Sequence, residues 1–474
     1  MNTLFASAPL TVIVGAVLLI LLVDAFSKGR SGRRFPAPIG AIALAVSSVL
    51  GLRSWGKACS YFGGRLLLDD FSIVFLVLLA LTGVLIILIG LRYVPTHGID
   101  TGAFHALLLL AVSGAVIMVS SLDLIVIFLG LEVLSIASYA LAGLKRDDPR
   151  SAESAVKYFM TGSLAGAFLI FGLAFLYGAA GSLDVPAILA ALRRSPPSWT
   201  ALAGSGLFLA AFGFKIAIVP FHMWAPDVYE GAPTPVTAFF SVVPKAAGLA
   251  VLLRLLGPFW AGAGRPGQLR WLLGAAAALT MIVGNLAALR QRNIKRILAY
   301  SSIAHTGYAL IAVTSGDGPG LAFYLVVYAF MNIGAFSAVV ALGHGEKERL
   351  DLDELAGTSL RSPWIGAMLS VFLLSLAGFP PTGGFLAKFL VFGAAVERGF
   401  SGLVIIAVLA SLVSVYYYLR VIVVMYMRPS LEDVGPESDQ PGVFLALFFC
   451  LYAVLQLGVA PGNILAFIKQ AMNF

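Results

Sequence analysis

Long apolar runs alternate with short polar breaks along the whole chain. The run Phe71–Leu91 (FSIVFLVLLALTGVLIILIGL) carries no charge until the residue after it, Arg92. About twenty apolar residues in a helix cross the hydrocarbon core of a bilayer. Runs of this kind predict about fourteen membrane helices, at 9–25, 36–52, 68–91, 103–120, 122–143, 153–179, 200–224, 235–257, 270–289, 295–315, 319–343, 363–396, 401–427 and 441–462. Glycine and proline mark many of the short connections. The longer connections are 53–67, 180–199, 344–362 and 428–440.

Two of these runs are interrupted. The seventh contains Pro220, and the twelfth contains Gly378-Phe-Pro-Pro-Thr-Gly-Gly384. Proline lacks the amide N–H and clashes with the preceding turn, so both runs are expected to be broken helices. Counted from the fourth run, helices 4–8 (103–257) form one unit and helices 9–13 (258–428) a second. The broken helix is the fourth member of each. Five is odd, so tandem units face opposite ways across the membrane, and broken helices in corresponding positions point to an internal repeat. Helices 1–3 (1–102) precede the units and helix 14 (429–474) follows. The expected fold is all-α and polytopic, with about 14 transmembrane helices, two inverted five-helix repeats and two broken helices.

Composition leaves no room for a soluble domain. Of 474 residues, 60% are hydrophobic and 11% charged, against about a quarter charged in soluble domains. The net charge of +8 calls for no nucleic-acid partner, because the loops account for it. With the N-terminus outside, the inner loops hold sixteen lysines and arginines, among them Lys28, Arg30, Arg33, Lys145 and Arg296. The outer segments hold nine, among them Arg193, Arg194, Arg265 and Lys469. Cytoplasmic loops carry the excess of basic residues, which predicts both termini outside. No basic residue precedes the first apolar run, so that run is expected to be retained as a helix. Cys59 and Cys450 are far apart and lack metal-ligand spacing.

Candidate chemistry lies in the few ionisable residues inside the runs. Glu132 is the carboxylate nearest mid-membrane, about ten residues from either end of the fifth run. Lys215 lies in the seventh, Lys245 in the eighth, His305 in the tenth and Lys388 in the twelfth, while Lys157 stands one turn inside the sixth. A charge at the bilayer centre costs roughly 2.5–3.5 kcal/mol on insertion scales, so the fold has to set these groups against one another or against water. Burial disfavours a charged lysine and a nearby carboxylate favours it. A lysine whose carboxylate partner approaches and retreats therefore takes up and releases a proton. Protonated Lys215 beside ionised Glu132 is the expected loaded state, with Lys245 next, His305 as the relay between lysines and Lys388 as the exit. Lys215 and Lys388 correspond in position between the units, as do Glu132 and His305, although Lys215 precedes its break and Lys388 follows its own. Structural alternatives stand beside each role: a packed histidine at His305, an interfacial lysine at Lys157, and snorkelling for Arg254, Arg420 and His105 near run ends. Pro244 immediately before Lys245 leaves the position of that lysine open.

His222 and Asp227 form an H-x4-D pattern that some acyltransferases use as base and orienter. The flanking blocks of such enzymes are missing, and a structural role is expected: Asp227 anchoring the turn after the break, His222 lining a channel mouth. No phosphate loop, metal cluster or catalytic triad stands out elsewhere.

The stretch FKIAIVPFHMWAPDVYEGAPTPVTAFFSVVPKAAG resembles the signature of the antiporter-like membrane subunits of respiratory complex I, and more narrowly the subunit N family of the proton-translocating NADH:quinone oxidoreductase. LEVLSIASYALAGLKRDDPRSAESAVKYFMTGS, NIKRILAYSSIAHTGY and LSLAGFPPTGGFLAKF agree, and the likeness covers nearly the whole chain. It implies a fourteen-helix core with two inverted repeats and proton translocation through Glu132, Lys215, Lys245, His305 and Lys388, with Lys157 a lesser candidate. Lysine at 388 and the wording PDVYEGAPTP separate subunit N from its relatives. The resemblance implies other membrane-arm subunits as partners and no cofactor in this chain, with NAD, FMN, iron–sulfur clusters and quinone in partner subunits. It places the chain in the bacterial plasma membrane. The alternative is a subunit of a multisubunit Na+/H+ antiporter, which shares the scaffold.

Overall fold

A computed structural model describes residues 3–26, 34–194, 198–261, 267–429 and 440–472. Lys28, Arg30, Arg33 and Arg265, which enter the orientation reading, lie outside the described residues. The elements are α1 (Thr3–Phe26), α2 (Pro36–Leu52), a hairpin of β1 (Cys59–Tyr61) and β2 (Leu66–Leu68), α3 (Asp70–Thr96), α4 (Thr101–Val119), α5 (Leu124–Ala142), α6 (Pro149–Ala180) and α7 (Val185–Arg194). They continue with α8 (Trp199–Lys215), α9 (Trp224–Gly231), α10 (Thr234–Ala261), α11 (Gly267–Ala288), α12 (Ile294–Ser315), α13 (Gly318–Ala341), α14 (Thr358–Arg361), α15 (Pro363–Ala377), α16 (Gly383–Glu397), α17 (Ser401–Met427), α18 (Pro441–Val459) and α19 (Gly462–Ala471).

Each expected run falls on a helix or on a broken pair. Among the described residues, eleven helices are long and apolar enough to cross a membrane, and α2 and α15 are apolar but shorter. The chain is an integral membrane protein. The expectations missed the antiparallel hairpin β1–β2 in 53–67 and the short helices α7, α14 and α19. Cys59 of β1 and Cys450 of α18 are free thiols.

The helix ends follow from local chemistry. Side-chain oxygens of Asp69, Asp100, Asp123, Asp148, Ser198, Asn293 and Asp317 accept hydrogen bonds from first-turn amides, as N-caps do. Gly378 ends α15 at φ 94°, a left-handed conformation that glycine adopts without a Cβ clash.

Packing repeats itself five membrane helices along. In the first set α4 packs on α5, α5 on α6, α6 on both α8 and α9, and α10 on α4. In the second α11 packs on α12, α12 on α13, α13 on both α15 and α16, and α17 on α11. The broken pairs α8/α9 and α15/α16 hold the same place in the two sets. α10, α12 and α13 are almost wholly buried and form the centre, while α11, α17 and α18 present much of their surface outward.

Pro244 does not break α10, which runs unbroken from Thr234 to Ala261. The proline leaves the Phe240 carbonyl without its usual i+4 amide partner. The Tyr229 hydroxyl donates to that carbonyl at 3.0 Å.

Several residues expected at the membrane edge are buried instead. Arg254 is 5% exposed, and its guanidinium pairs with Asp69 at 2.5 Å while donating to Val119 O at 2.9 Å. Burial would raise the Asp69 carboxyl, but the Arg254 charge and bonds from Ser72 outweigh it and hold it below its ordinary value. Arg420, half-buried, donates to the carbonyls of Leu289 (2.8 Å) and Gln291. His105 is buried with Nδ1 2.7 Å from Thr101 O. Lys295, counted above as a loop charge, is buried and donates to Ala232 O at 2.6 Å. Fixed acceptors explain the difference: elsewhere in the chain for Arg254, Arg420 and Lys295, and one turn back on α4 for His105, they replace the water that snorkelling would seek.

Candidate functional site

Lys215 is the last residue of α8 and is 2% exposed. The carbonyl end of a helix carries partial negative charge, which suits a cation there. Its Nζ donates to Ser135 Oγ at 2.8 Å and lies 3.5 Å from the Tyr158 hydroxyl. Tyr158 stacks on Trp224 with ring centroids 4.4 Å apart, and the Trp224 indole donates to Phe214 O at 3.0 Å. Thr280 of α11 supplies an acceptor to the Val219 amide inside the break, at 3.0 Å. Side chains thus satisfy two backbone groups that the break frees, Phe214 O and the Val219 amide.

Glu132 is half-buried on α5, one turn before Ser135. It makes no direct ion pair with Lys215. Lys215 bonds Ser135 where contact with Glu132 is expected. A close approach of α6 fixes the carboxylate: a Cβ at Gly166 would come within 2.8 Å of Glu132 Oε1.

Lys245 and His305 meet on α12. The Lys245 ammonium donates to Ser302 Oγ at 2.5 Å, and Ser302 also accepts from the Tyr328 hydroxyl at 2.7 Å. Asn332 donates to Tyr328 at 2.9 Å. His305, one turn beyond Ser302, has Nδ1 2.7 Å from the Tyr324 hydroxyl and Nε2 3.5 Å from that of Tyr418. Between Lys215 and Lys245 the rings of Tyr158, Trp224 and Tyr229 form a column. Among the described residues no hydrogen bond joins the two lysines directly.

Lys388 stands on α16, after the second break, and is 5% exposed. Its Nζ turns back to the carbonyls of Leu376 (2.9 Å) and Ala377 (3.1 Å) at the end of α15, and to Ser411 Oγ at 2.8 Å. It also lies 4.8 Å from the centre of the Tyr308 ring. Beside it opens a mostly apolar cavity of about 610 Å³ between α16 and α17, walled by Phe385, Phe389, Phe392 and Val408.

Lys157 does not join this buried line. Its side chain is 44% exposed and pairs with Glu153 and Asp227, each at 2.7 Å. Asp227 is also held by Arg296 at 2.9 Å, and Arg296 by Glu230 at 2.7 Å. These groups line a polar cavity of about 260 Å³. Burial would raise the Asp227 carboxyl, but the bonds and charges of Lys157 and Arg296 prevail and hold it below the ordinary carboxylate range. Both Asp227 oxygens are thus engaged by cations, not by His222, which removes the H-x4-D pair and leaves Asp227 as an anchor for α9.

Sequence reading missed the hydroxyls that surround the titratable groups: Ser135, Ser302 and Ser411, and the buried Tyr158, Tyr229, Tyr308, Tyr324, Tyr328 and Tyr418. Ser135 and Ser302 had a signal, since each stands three residues from Glu132 or His305 and so on the same helix face. The tyrosines had none, because an amphipathic ring fits the core and the membrane edge equally well.

A profile of the family described as "NADH:quinone oxidoreductase/Mrp antiporter, TM" matches residues 121–414, which hold all six candidate residues. The chain is 42% identical to NADH-quinone oxidoreductase subunit N of Trichlorobacter lovleyi, over 99% of this chain and 98% of that one. It is 41% identical to NADH-quinone oxidoreductase subunit N 1 of Solibacter usitatus, over 97% and 95%. A chain of respiratory complex I from Thermus thermophilus with bound aureothin is similar at 34% identity and a TM-score of 0.82, covering 97% of this chain and 98% of that one. A chain of the Mrp complex from a Dietzia species shares the fold at a TM-score of 0.84, with 19% identity. The Mrp likeness is one of fold alone, whereas identity near 40% extends to both ends of the chain in the oxidoreductase subunits. The chain belongs to the NADH-quinone oxidoreductase subunit N family.

Proposed function

We propose that this chain is a proton-translocating subunit of the membrane arm of NADH:quinone oxidoreductase, and that protons move along Glu132, Lys215, Lys245, His305 and Lys388. One observation carries the assignment: four buried basic groups lie on four helices of an apolar bundle, and each is hydrogen-bonded to a hydroxyl. A hydroxyl donates and accepts, so a proton that leaves one group meets an acceptor without crossing hydrocarbon. Lys157 belongs to the surface ion-pair network at the polar cavity instead of the buried line. Quinone reduction elsewhere in the complex supplies the energy, and NAD, FMN, iron–sulfur clusters and quinone are held by partner subunits. The units 103–257 and 258–428 carry the two repeats. Both termini face the outer, periplasmic side of the bacterial plasma membrane, as the loop charges favour.

Replacing Lys215 or Glu132 by alanine in the assembled complex tests the reading. NADH-driven proton uptake by inverted membrane vesicles, per assembled complex, is expected to fall at least about tenfold, a barrier change of ~1.4 kcal/mol, while assembly persists. Wild-type uptake by an assembled, redox-active Lys215→Ala complex would sink it. Sodium-dependent exchange without NADH oxidation is the outcome that would instead favour an antiporter.

A further inference from the structure

Helix α9 sends two aromatic donors to the helices that bear the first two lysines. Trp224 donates to Phe214 O in the last turn of α8, beside Lys215. Tyr229 donates to Phe240 O in α10, one turn before Lys245. Phe240 O is the carbonyl to which the amide of residue 244 would donate in a regular helix, and residue 244 is proline. The tyrosine thus replaces the hydrogen bond that Pro244 removes, at the turn from which Lys245 projects. Tyr229 is fully buried, and its ring lies 6.0 Å from the Lys245 ammonium, which donates to Ser302. The backbone of α9 is tied to the same region: Thr237 Oγ1 donates to Tyr229 O at 2.9 Å.

We propose that Tyr229 is a positioning residue for Lys245, closing the gap that Pro244 opens in α10 and so holding the lysine on Ser302. The inference rests on Lys245 being a proton carrier. Without the hydroxyl, a buried carbonyl is left without a donor, and such a group seeks a partner by moving the backbone around it or by admitting water. Either response shifts the turn that aims Lys245. With a residue other than proline at 244, the helix supplies its own amide and the hydroxyl is no longer needed there.

The test is a double-mutant cycle in the assembled complex, read as NADH-driven proton uptake per assembled complex. Tyr229→Phe removes only the hydroxyl and is expected to lower uptake roughly fivefold or more, the change that loss of one buried hydrogen bond of modest size produces. Pro244→Ala alone is expected to pump like the wild type. Tyr229→Phe with Pro244→Ala is expected to recover most of the lost uptake, because the amide at 244 takes over the Phe240 carbonyl. Wild-type uptake by Tyr229→Phe overturns the proposal. So does a double variant as slow as Tyr229→Phe alone, since the hydroxyl then acts other than through that carbonyl. A Tyr229→Phe complex that is merely less abundant, with full uptake per complex, also overturns it. Should Tyr229→Phe fail to assemble, the double variant decides: one that assembles and pumps supports the exchange, and one that fails to assemble refutes it. Lys245→Ala, measured in parallel, tests the underlying reading separately: wild-type uptake there removes Lys245 from the chain of carriers whatever the cycle gives.

Discussion

The two broken helices reach the same electrostatic solution by opposite routes. At the first, Lys215 is part of the half-helix whose carbonyl end it occupies. At the second, Lys388 belongs to the half-helix after the break and reaches back to Leu376 O and Ala377 O at the end of α15. Each ammonium therefore sits at the negative end of a helix dipole deep in the bundle. The surroundings differ. Lys215 lies over the Tyr158 ring, has Glu132 one turn before its serine, and keeps few hydrogen-bond partners. Lys388 has three close acceptors, no ion-pair partner among the described residues, and an apolar cavity at its side. A lysine with a nearby carboxylate and a single short bond is poised to change partners. One held by two backbone carbonyls keeps its place.

The breaks also differ in how closely their halves approach, and this gives the largest effect that can be set between them. A Cβ at Gly384 would stand 1.9 Å from Ser375 O, a backbone atom that cannot move alone. One at Gly213 would meet only the side chains of Phe221 and Ile218, at 3.0 and 3.1 Å. Gly384→Ala is expected to cost on the order of 3 kcal/mol or more and to deplete the subunit from the purified complex. Gly213→Ala, whose neighbours yield and whose helix gains from alanine, is expected to leave assembly intact. Subunit stoichiometry and the thermal midpoint of the complex measure both.

A smaller effect separates the two serines. Ser135 gives Lys215 its one short bond, and hydrogen bonds to charged groups are worth about 1.5–3 kcal/mol, so Ser135→Ala should lower proton uptake about tenfold. Lys388 keeps two carbonyls when Ser411 is lost, and Ser411→Ala should cost less than about threefold. Equal losses in vesicle uptake would erase the distinction between a mobile and a fixed lysine.

The smallest effect concerns the charged anchor found only after the first break. Asp227 is ionised below the usual carboxylate range because Lys157 and Arg296 hold it against the cost of burial. A depressed folded value adds stability above the unfolded value, near 4, that is lost as pH falls through the folded one. Asp227→Asn should therefore lower the thermal midpoint slightly and evenly from pH 8 to about 5, with the gap to wild type closing below pH 4. Exposed ion pairs of this kind contribute only about 0–1 kcal/mol each. A midpoint gap that instead widens with acid would contradict the pairing.

The order of helices and the places of the two breaks were legible in the chain, because apolar runs, prolines and glycines are local signals. Lys215, Lys245, His305 and Lys388 were legible as buried groups too, since charge inside an apolar run is expensive, but Arg254, His105 and Lys295 were read as edge or loop residues and Lys157 proved exposed. The partners of these groups were not legible. Nothing local tells that Lys388 turns back across its break, that Lys215 bonds Ser135, or that Tyr229 covers the carbonyl Pro244 leaves open. The same holds for Arg254 on Asp69, 185 residues apart. Hydropathy is a property of one stretch of chain against solvent, and it decides which segments enter the membrane. Hydrogen bonds are short and directional, and only the tertiary arrangement that sets Lys215 of α8 against α5, Tyr229 of α9 against α10 and Lys388 of α16 against α15 and α17 brings those atoms within about three ångströms.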